Sequence, residues 1–186
     1  MPSPPAPIVT VGHGRATETD FADSLRAAEV KHLVDVRTAP GSRHNPQFKR
    51  EAMEEWIPAA GFSYRWDKRL GGWRKLSDDS PDVALRHPSF RAYAGHMRSP
   101  EFMEAITDLL HPIPVAQTPG RTAVMCSETV WWRCHRRMIA DYLTLIHGLK
   151  VFHLMPSGKL TQHPPLQEAR VVSGDSPYLV YDQIVE

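Results

Sequence analysis

Residues Thr122 to His147, TAVMCSETVWWRCHRRMIADYLTLIH, pass from a strand-like run into a helix-like run with a dense polar segment between them. Ala123, Val124 and Met125 are a continuous apolar stretch, as a strand buried on both faces requires, and Met138, Ile139, Tyr142, Leu143 and Ile146 recur at the spacing of one helix face. Cys126, Glu128, Arg133, Cys134, His135, Arg136 and Arg137 lie between, within twelve residues. A parallel strand handing over to a helix is what this pattern dictates. The carboxyl edge of such a sheet is where ligands bind, and the helix start offers unpaired N–H groups to an anion.

The rest of the chain repeats the alternation. Ile8 to Val11 reads as a first strand ending in the tight turn Gly12, His13, Gly14 and Arg15. Thr17 and Asp20 resemble a capping box, opening a helix with apolar Phe21, Leu25 and Ala28. Leu33 to Val36 gives a second strand, expected to be parallel to the first across a right-handed crossover. The proline- and glycine-punctuated loop TAPGSRHNPQF follows, then a helix over Gln47 to Ala60 with Gly61 past its end, and a strand over Phe62 to Trp66. Asp67 to His87 reads as an irregular excursion that partly covers the site. Helices are expected over Phe90 to Met97 and again after Ser99 and Pro100, and a last core strand over Val151 to Met155.

The fold class is therefore α/β: a single three-layer domain with a Rossmann-like, mainly parallel sheet over residues 8–186. Residues 1–7 read as a loose tail, and the segment from about residue 156 as peripheral. At 186 residues the chain can bury a sizeable core without staples, and its two cysteines both fall in the central stretch, which favours thiols in a reducing, cytoplasmic compartment. No apolar run approaches the roughly 20 residues of a membrane span. A net charge of +1 excludes a global field for nucleic acid, although Arg outnumbers Lys by 16 to 6.

Parallel strands place Gly12, Arg37 and Cys126 along one edge, so three strand ends share a pocket. Cys126, Glu128 and His135 are the catalytic candidates: a nucleophile at a strand end, a carboxylate and an imidazole to handle protons. Gly12, His13, Arg15, Asp35 and Arg37 are ligand-binding candidates from the first two strand ends. Ser42, Arg43 and Asn45 come from the long loop, and Cys134 and Arg136 from the helix start. Arg37, Arg43 and Arg136 are expected to hold the anion. Cys134, placed in the first turn of its helix among arginines, is expected to have the more acidic thiol of the two if it is exposed. Glu128 is expected to stand among those arginines. Each candidate also has a plain reading: Cys126 as a small residue closing a strand, Asp35 as the partner of an arginine, the remaining histidines as packing or surface. Six residues separate Cys126 from Arg133, so the anion-cradling loop of Cys, five residues and Arg is not present. Neighbouring positions on a helix point about 100° apart, which argues against Cys134 and His135 serving one metal. No metal set and no cofactor motif is assigned. Of Trp131 and Trp132, one is expected buried and one exposed.

The segments VGHGR, LVDVRTAPGSRHNPQF, YRWDKRLGG, FRAYAGHM and CSETVWWRCHRRMIADYL resemble the domain-of-unknown-function 488 family, over about Ile8 to Met155. The resemblance implies an intracellular α/β protein and maps motif positions onto Gly12, His13, Asp35, Arg37, Pro40, Ser42, Arg43, Asn45, Pro46, Phe48, Gly71, Cys126, Glu128, Cys134, His135 and Arg136. It carries no established activity. Gly14 stands where relatives commonly have Ser. The expected function is binding of a small anionic or phosphorylated ligand, such as a nucleotide, by a hydrolase or transferase. A nucleic-acid-binding module is the alternative, and a zinc or thiol-redox site the third reading.

Overall fold

The computed structural model describes residues 6–111 and 120–184; the first five residues of the expected tail lie outside it. The main sheet contains β1 (Ile8–Gly12), β2 (Val30–Asp35), β3 (Ser63–Trp66), β4 (Arg121–Cys126), β5 (Val151–Leu154) and β6 (Leu160–Gln162), in the order β3-β2-β4-β1-β5-β6. All pairings are parallel except that of β6 with β5. The helices are α1 (Glu18–Ala27), α2 (Arg50–Ala59), α3 (Pro88–His96), α4 (Pro100–Leu110) and α5 (Arg136–Leu145). A separate hairpin, β7 (Ala169–Val172) and β8 (Tyr178–Tyr181), follows.

Strand alternation divides the core in two. Val9, Val11, Leu33, Ala123 and Met125 pack with Phe21 and Leu25 of α1 and Met53 and Ile57 of α2. Ile8, Val34, Val36 and Val124 face the opposite way and pack with α3, α4 and α5 through Tyr93, Phe102, Ile106, Met138 and Leu143. This gives three layers and one domain. Among the described residues, no helix is long and apolar enough to cross a membrane.

Local signals set several boundaries. Thr17 accepts the Asp20 N–H to start α1, and Ser99 accepts that of Phe102 to start α4. Gly61, with φ +93°, follows the end of α2. That helix begins at Arg50 instead of Gln47, because Pro46–Phe48 forms a separate 3-10 turn that buries Phe48. The first two strands are parallel but not neighbours: β4 lies between them. The segment read as peripheral supplies β6, β7 and β8, with Leu179 and Tyr181 inside the core. Arg98 clasps the buried Asp82 with bonds of 3.1 and 2.7 Å, and Asp82 accepts the Tyr181 N–H, which fastens this segment to the domain.

Candidate functional site

Gly12 and Cys126 are register partners at the carboxyl ends of β1 and β4. The chain leaving β1 enters α1 on one face of the sheet, and the chain leaving β4 enters α5 on the other. Neighbouring strands whose connections diverge in this way open a crevice, the topological switch point of an open α/β sheet. The two loops are stitched at its base, since the His13 and Gly14 N–H groups donate to the Cys126 and Ser127 carbonyls, each at 3.0 Å. Gly12 makes the crossing sterically feasible: a Cβ there would stand 2.0 Å from the Glu128 carbonyl oxygen.

The larger cleft, of about 690 Å³, is lined by His13, Gly14, Arg15, Arg37, Ser42, Asn45, Ser127 and Glu128, among others. A smaller one, of about 110 Å³, adjoins it through Arg37, Ala39 and Ser127 and reaches Cys126, His135, Gly72 and Trp73. The irregular excursion thus does border the site, with the Trp73 ring 77% exposed at its edge.

Arg37 is held in place by its neighbours. Its Nε and Nη2 donate to the two Asp35 carboxylate oxygens at 2.8 and 2.6 Å, and Asp35 also accepts from the Arg37 N–H and the Tyr64 hydroxyl. Burial, and then the Asp35 charge, push the Tyr64 phenol above its ordinary range. The His13 Nδ1–H donates to the Gly14 carbonyl, so Nε2 accepts from Arg37 Nη1 at 3.2 Å. Burial, and then the Arg37 charge, lower the His13 pKa to about 4, and its neutral ring stacks on Phe48 at 4.1 Å. Asp35 and His13 therefore position Arg37. Glu128 is exposed; its Oε1 accepts the Val130 N–H at 2.9 Å, and no arginine pairs with it among the described residues. This differs from the expectation of a carboxylate among guanidinium groups.

At the inner corner, Cys126 Sγ, Cys134 Sγ and a His135 ring nitrogen all lie within 4.8 Å of one another. Cys134 is not in a helical turn. It is extended (φ −121°, ψ 149°) after a 3-10 turn at Trp131–Arg133, and His135 caps α5. The reason is tertiary, because the backbone must turn inward for Cys134 to face Cys126 and for Arg136 to pass under the Glu128 loop. The Cys134 thiol is lowered by a hydrogen bond from Cys126 and by the Arg136 charge, while Cys126, the donor in that pair and buried, is raised. Cys134 is thus the more acidic of the two thiols, but it is buried and extended, and not the exposed helix-start thiol of the expectation.

Two arginines fall outside the clefts. Arg43 is exposed and lines neither. Arg136 is 1% exposed and directed inward, donating to the Glu128 carbonyl, to Thr10 Oγ1 at 3.5 Å and to Cys134 Sγ at 3.4 Å. Behind it runs a buried chain that sequence reasoning missed: Thr10 to His153 at 2.6 Å, His153 to His163 at 2.9 Å, His163 to Asp141 at 2.7 Å, with the Tyr181 hydroxyl closing on Asp141 at 3.0 Å. An arginine, which only donates, stands at one end and a carboxylate at the other, so each neutral histidine has one workable tautomer. Trp131 stacks on His153 at 3.9 Å, whereas Trp132 is exposed.

A family described as "Domain of unknown function DUF488" matches residues 18–143, which is more than half of the 186-residue chain. No curated protein and no solved structure matches it.

Proposed function

The chain belongs to the DUF488 domain family, and we propose that its switch-point cleft binds a small anionic or phosphorylated ligand of mononucleotide size, on which it acts as a hydrolase or transferase in the cytoplasm. The observation that carries this reading is the fixed Arg37. Asp35, Tyr64 and His13 hold its guanidinium at the junction of the two clefts, and Nη1 keeps a second proton with no partner among the described residues. A preorganised guanidinium pays little ordering entropy to meet an oxyanion. Arg15 and the polar Ser42, Asn45 and Ser127 extend the donor surface along the larger cleft. Trp73 supplies an aromatic face of the kind on which a base stacks. Glu128 at the rim exchanges a proton with the ligand, and the Cys126–Cys134–His135 corner supplies the reactive group.

Calorimetric titration with inorganic phosphate and a panel of mononucleotides tests the reading. Saturable binding is expected, weakened roughly tenfold or more in Arg15→Gln, the loss of a charge-assisted hydrogen bond. Absence of anion binding by the wild type, or unchanged affinity in Arg15→Gln and Asn45→Ala together, refutes it. Oligonucleotide binding that collapses steeply with salt would favour the nucleic-acid module instead.

A further inference from the structure

We propose that Cys126, Cys134 and His135 bind a divalent cation of the zinc class, with the fourth coordination position facing the smaller cleft. The three donor atoms already lie within 4.8 Å of one another. Tetrahedral zinc with bonds of about 2.0–2.3 Å separates its donors by roughly 3.3–3.8 Å, so an inward shift of about an ångström, within reach of side-chain rotation, closes the set. The helical objection to neighbouring ligands does not apply here, because Cys134 is extended and α5 starts only after His135.

The surroundings are arranged as a metal requires. His135 Nε2 lies 3.1 Å from the Val36 carbonyl, a group that can only accept, so Nε2 carries the proton and Nδ1 presents a bare lone pair 3.6 Å from Cys134 Sγ. A ring N–H tied to a backbone carbonyl is the usual support of a metal-ligating histidine. Arg136 is a buried cation with no carboxylate partner among the described residues, and its Nε–H is aimed at Cys134 Sγ. A buried guanidinium without a counter-charge is costly, so this position favours an anionic sulfur.

Binding replaces the thiol protons, which pass to solvent, and two thiolates neutralise the dication. Sulfur and imidazole donors select zinc over calcium or magnesium. Cys126 and His135 both line the smaller cleft, and Gly72 lies so flat on the imidazole that a Cβ would approach Nδ1 to 2.6 Å. Three protein ligands and one open side is the plan of a catalytic zinc site, where a bound water or substrate takes the fourth place.

The site stands on its own geometry and is testable without any anionic ligand. Untagged protein prepared without added metal is analysed for metal content, then stripped and titrated with zinc and with cobalt(II). Expected are about one equivalent bound, a thiolate-to-cobalt charge-transfer band that weakens when either cysteine becomes Ser, and protection of both thiols from alkylation until a chelator is added. Losing a supporting hydrogen bond to a ligand weakens metal binding about 10- to 100-fold, so Cys126→Ser or Cys134→Ser should exceed roughly a hundredfold. The alkylation assay on wild-type protein decides the matter even if a variant does not fold. No bound metal in either titration, binding that leaves both thiols reactive, or recovery of the two cysteines as a disulfide overturns the proposal. Phosphate titration of the stripped protein separates that failure from failure of the anion-binding reading.

Discussion

Two carboxylates near the same cleft have opposite surroundings. Asp35 is fully buried and accepts four hydrogen bonds, whereas Glu128 is exposed and accepts one from the Val130 N–H. Asp35→Asn leaves the buried Arg37 without its counter-charge and should cost roughly 3–5 kcal/mol, read as a drop in denaturation midpoint. Glu128→Gln breaks no buried pair, so the melting temperature should stay where it is while turnover of any substrate falls. A fall in stability comparable to that of Asp35→Asn would place Glu128 in the scaffold. From sequence, the proximity of Asp35 to Arg37 was legible because the pair is two positions apart. The fates of Arg43 and Arg136 were not legible. Both are arginines in polar segments, and only the fold turns one to solvent and the other beneath the Glu128 loop.

At the level of elements, the strands and helices with their own punctuation were legible: β1 before its Gly turn, α1 behind the Thr17 cap, α4 behind Ser99, β4 as an apolar run. Elements governed by distant contacts were not. The start of α5 moved because Cys134 turns toward Cys126, and strand–helix alternation alone does not reveal that β4 separates β1 from β2. The crossing of the β1 and β4 loops gives a sharp test. In Gly12→Ala the new Cβ would meet backbone atoms, 2.0 Å from the Glu128 oxygen and 2.7 Å from Thr129 Cα. The loop carrying Ser127 and Glu128 must then shift, at a cost of about 1–3 kcal/mol. Anion affinity, measured by calorimetry, should fall with stability. An Ala variant with wild-type affinity and melting temperature would mean that the close crossing is unnecessary.

Across the whole molecule, the chain from Thr10 through His153 and His163 to Asp141 and Tyr181 ties together β1, β5, the segment after β6, α5 and β8. No local pattern announces it, because its members lie far apart in sequence, and a lone histidine reads as packing or surface. Burial first, and then the neighbouring His163 imidazole and the Arg136 charge, lower the His153 pKa from 6.5 to about 3. The folded state therefore binds fewer protons than the unfolded chain between these values. The stabilisation is complete above pH 6.5 and disappears as pH falls toward 3, and it amounts to a few kcal/mol. His153→Phe keeps an aromatic ring against Trp131 but cannot titrate. It should be less stable than wild type at pH 7, and the gap should narrow between pH 6.5 and 4.5 in denaturant titrations. Parallel curves would show that the ring does not resist protonation.

The insertion of β4 between β1 and β2 also has a temporal side. Val9 pairs with Ala123 and Leu33 with the same residue, so the first two strands remain apart until a strand about a hundred positions later arrives to bridge them. During synthesis the N-terminal part of the chain emerges with β1 and β2 presenting open edges, and only translation through residue 126 and beyond can close them. Contacts so remote in sequence slow folding. The nascent protein thus passes through an interval in which the facing edges of β1 and β2 invite chaperones or aggregation, and the strand that fills the gap between them is also the one that delivers Cys126.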